Sequence, residues 1–415
     1  MNISGDIWTY IWHRLPLVLL FAGGYLVYQL MTVTRLTDRF VYRAIQKSRG
    51  RTSILLFYLI ASIAVLSSFI PNTIAVLTLL PVLRRLDREY AAKGGVGMTT
   101  VLMCSTLYGA AIGGMGSMIG SPANAVLFGA LDLFRIAGRE QITFLNWFVW
   151  SVPLVALFVL IAWCVVTRLG LTAEGRLVRI AVDELETQGE VSARQRFGLK
   201  LFWFFMIFWV GEAVAKQVIP NFSLVSPLVC LGFSAVFLFL LFGIAVPDGQ
   251  DNPGPLLVPW DMVKSIPRRG VLFLFFLALL IAVVHWLDLD ARVVGAVSVL
   301  FQGESSSLLL GFFMILSVIF LTEILSNTVV VAAFFTIVPA LALSHGIEPL
   351  MLMMGVSLAS TCAFMTPIAT PTNALAFGEM RGVSLRKMVF LGAVLNVLGA
   401  LLITTWFSWV IPLVY

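Results

Sequence analysis

Apolar residues run in long blocks along this chain, and polar clusters cut four of those blocks. Uncut runs recur from end to end, at Leu15–Met31, Phe148–Val166, Leu201–Val218, Leu224–Val246, Val271–Val284 and Met388–Val410, and they predict membrane-crossing helices. Two other runs are interrupted in their middles. Thr52–Leu83 is cut by Ser67-Ser68-Phe69-Ile70-Pro71-Asn72-Thr73, and Leu308–Leu343 by the stretch Glu323–Thr328, which contains Ser326-Asn327-Thr328. Two more, Thr99–Leu133 and Leu350–Glu379, are too long for one straight span. They break at Gly120-Ser121-Pro122-Ala123-Asn124-Ala125 and Ala369-Thr370-Pro371-Thr372-Asn373-Ala374. The two halves of the chain therefore carry the same two polar clusters in the same order.

Physical constraints on a bilayer turn this pattern into an architecture. Segments 35–51 and 84–93 are both rich in Lys and Arg, so an apolar stretch crossing once between them would place one basic end outside. A re-entrant hairpin that enters from the cytoplasm, turns at Pro71–Thr73 and returns satisfies both ends. The second hairpin has few basic residues at its ends and is predicted to enter from outside, as the mirror of the first. Backbone turned at that depth must find its hydrogen-bond partners in protein or in a water-lined cavity. Each long run after a hairpin is predicted as two half-helices meeting at a non-helical elbow, because proline cannot continue a helix there. Two tips and two elbows would converge at the midplane, and the half-helices after Thr73 and Thr328 would turn their N-terminal ends to an anion. Paired interrupted segments in two inverted repeats are the sequence mark of a secondary transporter.

Composition agrees with an all-α polytopic membrane protein, since 60% of residues are hydrophobic and 12% charged, with a mean hydropathy of +0.99. The net charge of +6 needs no nucleic acid. Most of the 27 lysines and arginines fall in five loops, 35–51, 84–93, 168–200, 248–269 and 381–387, which the positive-inside rule places in the cytoplasm. The first apolar stretch has no basic region before it and no small-residue cleavage site, so it is expected to stay in the protein. Cys104, Cys164, Cys230 and Cys362 all lie in apolar segments and read as packing residues, with no metal spacing.

Other residues have two readings each. Gly109, Gly113, Gly114, Gly116 and Gly120 either let helices pack closely or give a site flexibility. Glu212 looks like an intramembrane proton carrier, but Lys216 lies four residues on, where the two neutralise each other. Glu323, beside a hairpin tip, carries a proton in the hypothesis that sodium is not the coupling ion; unchanged pH dependence of uptake in Glu323→Gln would remove that hypothesis. His13, His285 and His345 sit at predicted segment ends. The charged stretch 173–196 reads as a solvated amphipathic linker.

The Asn-Thr tips, the Gly-Ser-Pro-x-Asn and Thr-Pro-x-Asn elbows, Thr322-Glu323, and the run Cys362-Ala363-Phe364-Met365-Thr366-Pro367-Ile368-Ala369-Thr370-Pro371 together resemble the divalent anion:sodium symporter family. The resemblance implies carriage of dicarboxylates, citrate or sulfate by homodimeric elevators. It implies substrate contacts from Asn72, Thr73, Ser121, Asn327, Thr328 and Thr370. It also implies two sodium sites, the first from Ser67, Asn72 and backbone near Gly120, the second from Thr322, Asn327 and backbone near Leu325 and Ala369. Amide and hydroxyl groups suit carboxylate oxygens, and carbonyl and hydroxyl oxygens suit a hard cation. Two departures from the family pattern stand out. Pro71 replaces the serine of the first tip, removing a hydroxyl and an N–H. Three spans precede the second hairpin (201–218, 224–246, 271–287) but one precedes the first, which implies a first repeat shortened on its N-terminal side.

The expected organisation is a first inverted repeat at 1–170 (hairpin 52–92, broken helix 99–133), a cytoplasmic linker at 171–200, and a second repeat at 201–415 (hairpin 305–345, broken helix 350–380). The expected function is sodium symport of a small dianion such as succinate across the cell inner (plasma) membrane, by an elevator movement. Its partners are the anionic substrate, membrane lipid and a second copy of the chain. A proton-coupled carrier or an anion exchanger for citrate, sulfate or another anion stays open as the alternative. An enzyme is disfavoured, because no catalytic or metal-spaced cluster lies in the apolar segments, and no cofactor is expected beyond the coupling ions.

Overall fold

The computed structural model describes residues 3–77, 79–93, 98–180, 191–248, 251–260 and 307–415. The expected span at 271–287, His285 and the first residues of the hairpin at 305–345 lie outside the described residues. Sixteen α-helices are labelled in chain order. The first eleven are α1 Ile3–Val33, α2 Leu36–Gln46, α3 Thr52–Ser67, α4 Asn72–Leu77, α5 Leu80–Ala92, α6 Met98–Gly113, α7 Pro122–Leu133, α8 Phe144–Gly170, α9 Ala173–Leu177, α10 Ala193–Val218 and α11 Phe222–Phe242. The remaining five are α12 Ser307–Thr322, α13 Asn327–Ser344, α14 Pro349–Ser360, α15 Pro371–Glu379 and α16 Leu385–Thr405. Among the described residues six helical stretches are long and apolar enough to cross a bilayer: Ile11–Val33, Phe144–Gly170, Ala193–Val218, Phe222–Phe242, Asn327–Ser344 and Leu385–Leu413. Their outward faces carry bare apolar side chains such as Val152, Ile207, Leu224 and Phe239, as a lipid-facing surface does.

Two details differ from the sequence reading. Residues 193–200 of the expected linker are helical, because Ser192 and Gln195 form a reciprocal capping box that starts α10 well before its apolar stretch. The all-α expectation meets one exception, an antiparallel pair of short strands, β1 Ala245–Asp248 and β2 Asp251–Pro255. Pro247, Pro253 and Pro255 bar a helix in this stretch. The register slips between Val246 and Asp248, where Pro247 has no N–H to give.

The described chain divides into two compact units. The smaller comprises Met1–Phe40, Thr143–Leu145 and Glu186–Ile266. In it α1, α10 and α11 pack together around Phe205, Trp209, Phe233 and Phe237. Glu212 and Lys216 form the self-neutralising pair at 2.6 Å, and Ser226 on α11 donates to the same carboxylate oxygen at 2.5 Å. Burying such a pair is tolerated only when its members are hydrogen-bonded in this way.

The larger unit comprises Val41–Ile142, Asn146–Leu185 and Pro267–Tyr415 and holds all four polar clusters. Its centre is α6 and α14, of which every residue from Thr100 to Gly113 and from Leu350 to Ser360 is buried. A helix apolar on all sides belongs inside protein rather than at its edge. Close packing of α6 on α3 explains two of the glycines. A Cβ at Gly109 would lie 2.6 Å from the backbone oxygen of Ile60, and Gly113 meets Ala64 and Ser67 one turn on. Gly109→Ala is therefore expected to destabilise the protein by about 1–3 kcal/mol although alanine is the better helix former. A thermal unfolding scan of the purified variant checks this.

Candidate functional site

Both hairpins turn a little earlier than the sequence suggests. The first turn occupies residues 68–71 and the second 323–326, so Asn72 and Asn327 are already the first residues of α4 and α13. The last residue of each incoming helix reaches across the turn to them. Ser67, wholly buried at the end of α3, donates its hydroxyl to Asn72 Oδ1. Thr322, wholly buried at the end of α12, donates to Asn327 Oδ1 at 2.6 Å and also points to the Ser360 carbonyl at 3.0 Å. In both cases the two residues stand five apart. Each tip thus sets a hydroxyl and an amide oxygen side by side, a pairing of hard oxygens suited to a cation. Pro71 forfeits no helix cap, because Ser326, its counterpart before α13, makes no side-chain capping bond.

The elbows are built as copies of each other. In the first, Asn124 Nδ2 donates to the carbonyls of Gly114 at 3.2 Å and Ser117 at 2.9 Å, ten and seven residues back. In the second, Asn373 Nδ2 donates to Ala363 and Thr366, both at 3.0 Å and again ten and seven residues back. These bonds satisfy carbonyls that the broken helices leave free. Ser121 and Thr370 cap the half-helices that follow, accepting from Ala123 N at 3.3 Å and Asn373 N at 3.1 Å, and proline fits the first helical position after each cap. Ser117 Oγ donates to the Ser68 carbonyl, and Thr366 Oγ1 to that of Glu323 at 2.7 Å, so each elbow is tied to its own tip. Gly120 is buried where an added Cβ would lie 2.8 Å from Gly114 O and 3.1 Å from Ser68 O.

The halves then interlock. The half-helix after the first tip, α4, packs on α15 of the second elbow, and α13 of the second tip packs on α7 of the first. Thr73 and Thr372 meet hydroxyl to hydroxyl at 2.7 Å, and Ser357 on α14 donates to Asn124 Oδ1 at 3.1 Å. Arg84 on α5 reaches the carboxylate of Glu379 and its backbone oxygen at the end of α15, an exposed pair of small energetic weight.

Among the residues named from sequence, the structure brings Ser67 to Asn72, Thr322 to Asn327, and Thr73 onto the second elbow through Thr372. Thr328 stands half-buried in the first turn of α13, Leu325 in the second turn is largely exposed, and Ala369 is buried just before the Thr370 cap. Thr372 was not singled out, and nothing local marks it. Asn124 and Asn373 were visible in the repeated motif, but their work as carbonyl clamps was not. Glu323, the candidate proton carrier, does not stand isolated beside its tip. Its carboxylate, 3% exposed, accepts from Phe364 N at 2.7 Å, Met365 N at 2.8 Å, Thr366 N at 2.9 Å and Asn396 Nδ2 at 2.8 Å.

A profile described as the sodium:sulfate symporter transmembrane region matches residues 13–415. The chain belongs to that family. It is 27% identical over 421 residues to the sodium-dependent dicarboxylate transporter SdcS of Staphylococcus saprophyticus, covering 95% of this chain and 76% of that protein. It is 26% identical over 420 residues to SdcS of Staphylococcus aureus strain NCTC 8325, covering 96% and 77%. The crystal structure of the Alcanivorax borkumensis YdaH transporter superposes with a TM-score of 0.61 over 99% of this chain and 90% of that one, at 12% identity, a likeness of fold. As a sodium:sulfate symporter family member the chain is a multi-pass plasma-membrane transporter and not an enzyme. The family resemblance read from the tips and elbows holds, as does the helical polytopic class.

Proposed function

We propose that this transporter carries a small dianion, a C4-dicarboxylate such as succinate, across the membrane together with sodium. One observation carries the reading: each tip's half-helix lies on the other copy's elbow half-helix, which gathers hydroxyl and amide groups from both halves at one place. Asn72, Thr73, Ser121, Asn327, Thr328 and Thr370 contact the dianion. One sodium ion sits at Ser67, Asn72 and the backbone at Gly120, and a second at Thr322, Asn327 and the backbone at Leu325 and Ala369. No lysine or arginine stands within the tips or elbows themselves, so the co-bound cations supply the charge balance for the dianion, and this makes transport depend on them. Relatives named as sodium-dependent dicarboxylate transporters support both the ion and the substrate class. The matching bonds in the two tips and elbows support two repeats, inserted in opposite directions and joined by the stretch 171–200. The hairpins and broken helices of both repeats move as one body against the other helices in an elevator stroke, within a homodimer.

Proteoliposome uptake of labelled succinate tests the proposal. Uptake driven by an inward sodium gradient is expected to exceed by several-fold, roughly, that in potassium of equal strength. Equal uptake in the two salts, or uptake driven by a proton gradient alone, would be evidence against it. Unlabelled citrate and sulfate, added as competitors, rank the anions.

A further inference from the structure

The two copies of the tip and elbow differ in kind at one position. Glu323 and Ser68 each follow the last residue of an incoming helix, and each carbonyl receives the hydroxyl of its own elbow, from Thr366 and Ser117. The Ser68 hydroxyl gives its proton to the carbonyls of Ala64 at 3.0 Å and Gly113 at 3.1 Å. Beyond Gly113 the first elbow keeps its own turns, with Met115 N on Ile112 O at 3.2 Å and Gly116 N on Gly113 O at 2.8 Å. The second elbow is drawn out instead. Three successive amides, Phe364, Met365 and Thr366, point away from the helix they follow and onto the Glu323 carboxylate. A fourth donor arrives from α16, where Asn396 Oδ1 has no partner among the described residues, so the orientation of that amide is set by its bond to Glu323.

We infer that Glu323 is a positioning residue for the second cation site. The inference rests on the reading of Thr322 and Asn327 as cation ligands. The carboxylate touches no ligand atom in that pair, yet it acts on the site in two ways. It holds residues 364–366 unwound, so that the elbow leading to Ala369 cannot coil back into α14. It also places a fixed negative charge in the dry interior next to Thr322. An isolated anion there would be costly, and four donors together with a neighbouring cation offset that cost. The first site, with Ser68 at the same position, has neither feature. The two cation sites are therefore unequal, with the second the tighter one.

The test uses the full-length protein and reads sodium affinity rather than transport alone. Thermal unfolding of the purified carrier is followed as sodium replaces choline, beside the sodium dependence of succinate uptake in proteoliposomes. Supporting groups around a bound metal typically change its affinity by about 10- to 100-fold. Glu323→Gln puts an N–H against backbone N–H groups, so the sodium concentration for half-maximal stabilisation is expected to rise by about tenfold or more. Glu323→Asp is expected to fall between the two. A Glu323→Gln protein that unfolds at a lower temperature in choline, yet keeps the wild-type sodium midpoint, overturns the inference and leaves a purely structural role. Should Glu323→Gln not fold, Glu323→Asp carries the test: a smaller rise of the same sign supports the inference and an unmoved midpoint overturns it. A wild-type protein with no sodium response in either measurement overturns the proposed function and this inference together.

Discussion

Asn327→Ala is expected to abolish sodium-driven succinate uptake while leaving a folded protein. Asn327 is the first residue of α13, and its Oδ1 receives the Thr322 hydroxyl at 2.6 Å. In the proposed site it serves cation and dianion at once, so alanine removes two interactions with one change. A lost hydrogen bond to a charged group costs about 1.5–3 kcal/mol. The combined loss is thus about 3–6 kcal/mol, a fall in rate of roughly a hundred-fold to ten-thousand-fold. Folding itself is largely spared, because Asn327 is half-buried and Thr322 keeps its bond to the Ser360 carbonyl at 3.0 Å. Initial uptake rates of wild type and variant, with a gel-filtration profile of each, decide the matter. A wild-type rate in Asn327→Ala would remove the site as drawn.

Asn124→Leu should have the largest effect on stability. Asn124 is wholly buried and satisfies three groups, the carbonyls of Gly114 and Ser117 and the hydroxyl of Ser357. Leucine has nearly the same size and no polar atom, so the first elbow would keep its shape only with the Gly114 carbonyl and the Ser357 hydroxyl stranded and the Ser117 carbonyl left to Gly120 N alone. At about 1–3 kcal/mol for each stranded group, the loss is about 2–6 kcal/mol, at its upper end beyond what most single substitutions do. The thermal unfolding transition of the purified variant should shift far below that of wild type. Ser357→Ala, which removes only one of the three bonds, should cost about 1 kcal/mol. A similar transition for Asn124→Leu and wild type would show that the clamp does not hold the elbow.

The main lines of the fold were legible in the residues for a simple reason. A chain in lipid must satisfy its backbone within each segment, so apolar length translates directly into helices. Polar, proline-bearing clusters inside such lengths then locate the breaks. The ends of the helices were less legible. Hydrophobicity does not mark Ser192 as the start of α10 or Asn72 and Asn327 as helical residues, because caps and turns are set by local hydrogen bonds. The site was half legible. Ser67 with Asn72, and Thr322 with Asn327, lie five residues apart within repeated motifs, so the sequence already groups them.

By itself the sequence determined a membrane chain with two like pairs of tips and elbows, since composition, run length and proline placement act locally and need no knowledge of what lies nearby. Only the tertiary structure decided what those pieces grip. Thr73 meets Thr372 across 299 positions, Ser357 meets Asn124 across 233, and Asn396 meets Glu323 across 73. Contacts at such separations depend on how buried helices stack, and a buried carboxylate with no local partner gains its role from amides that another segment turns toward it.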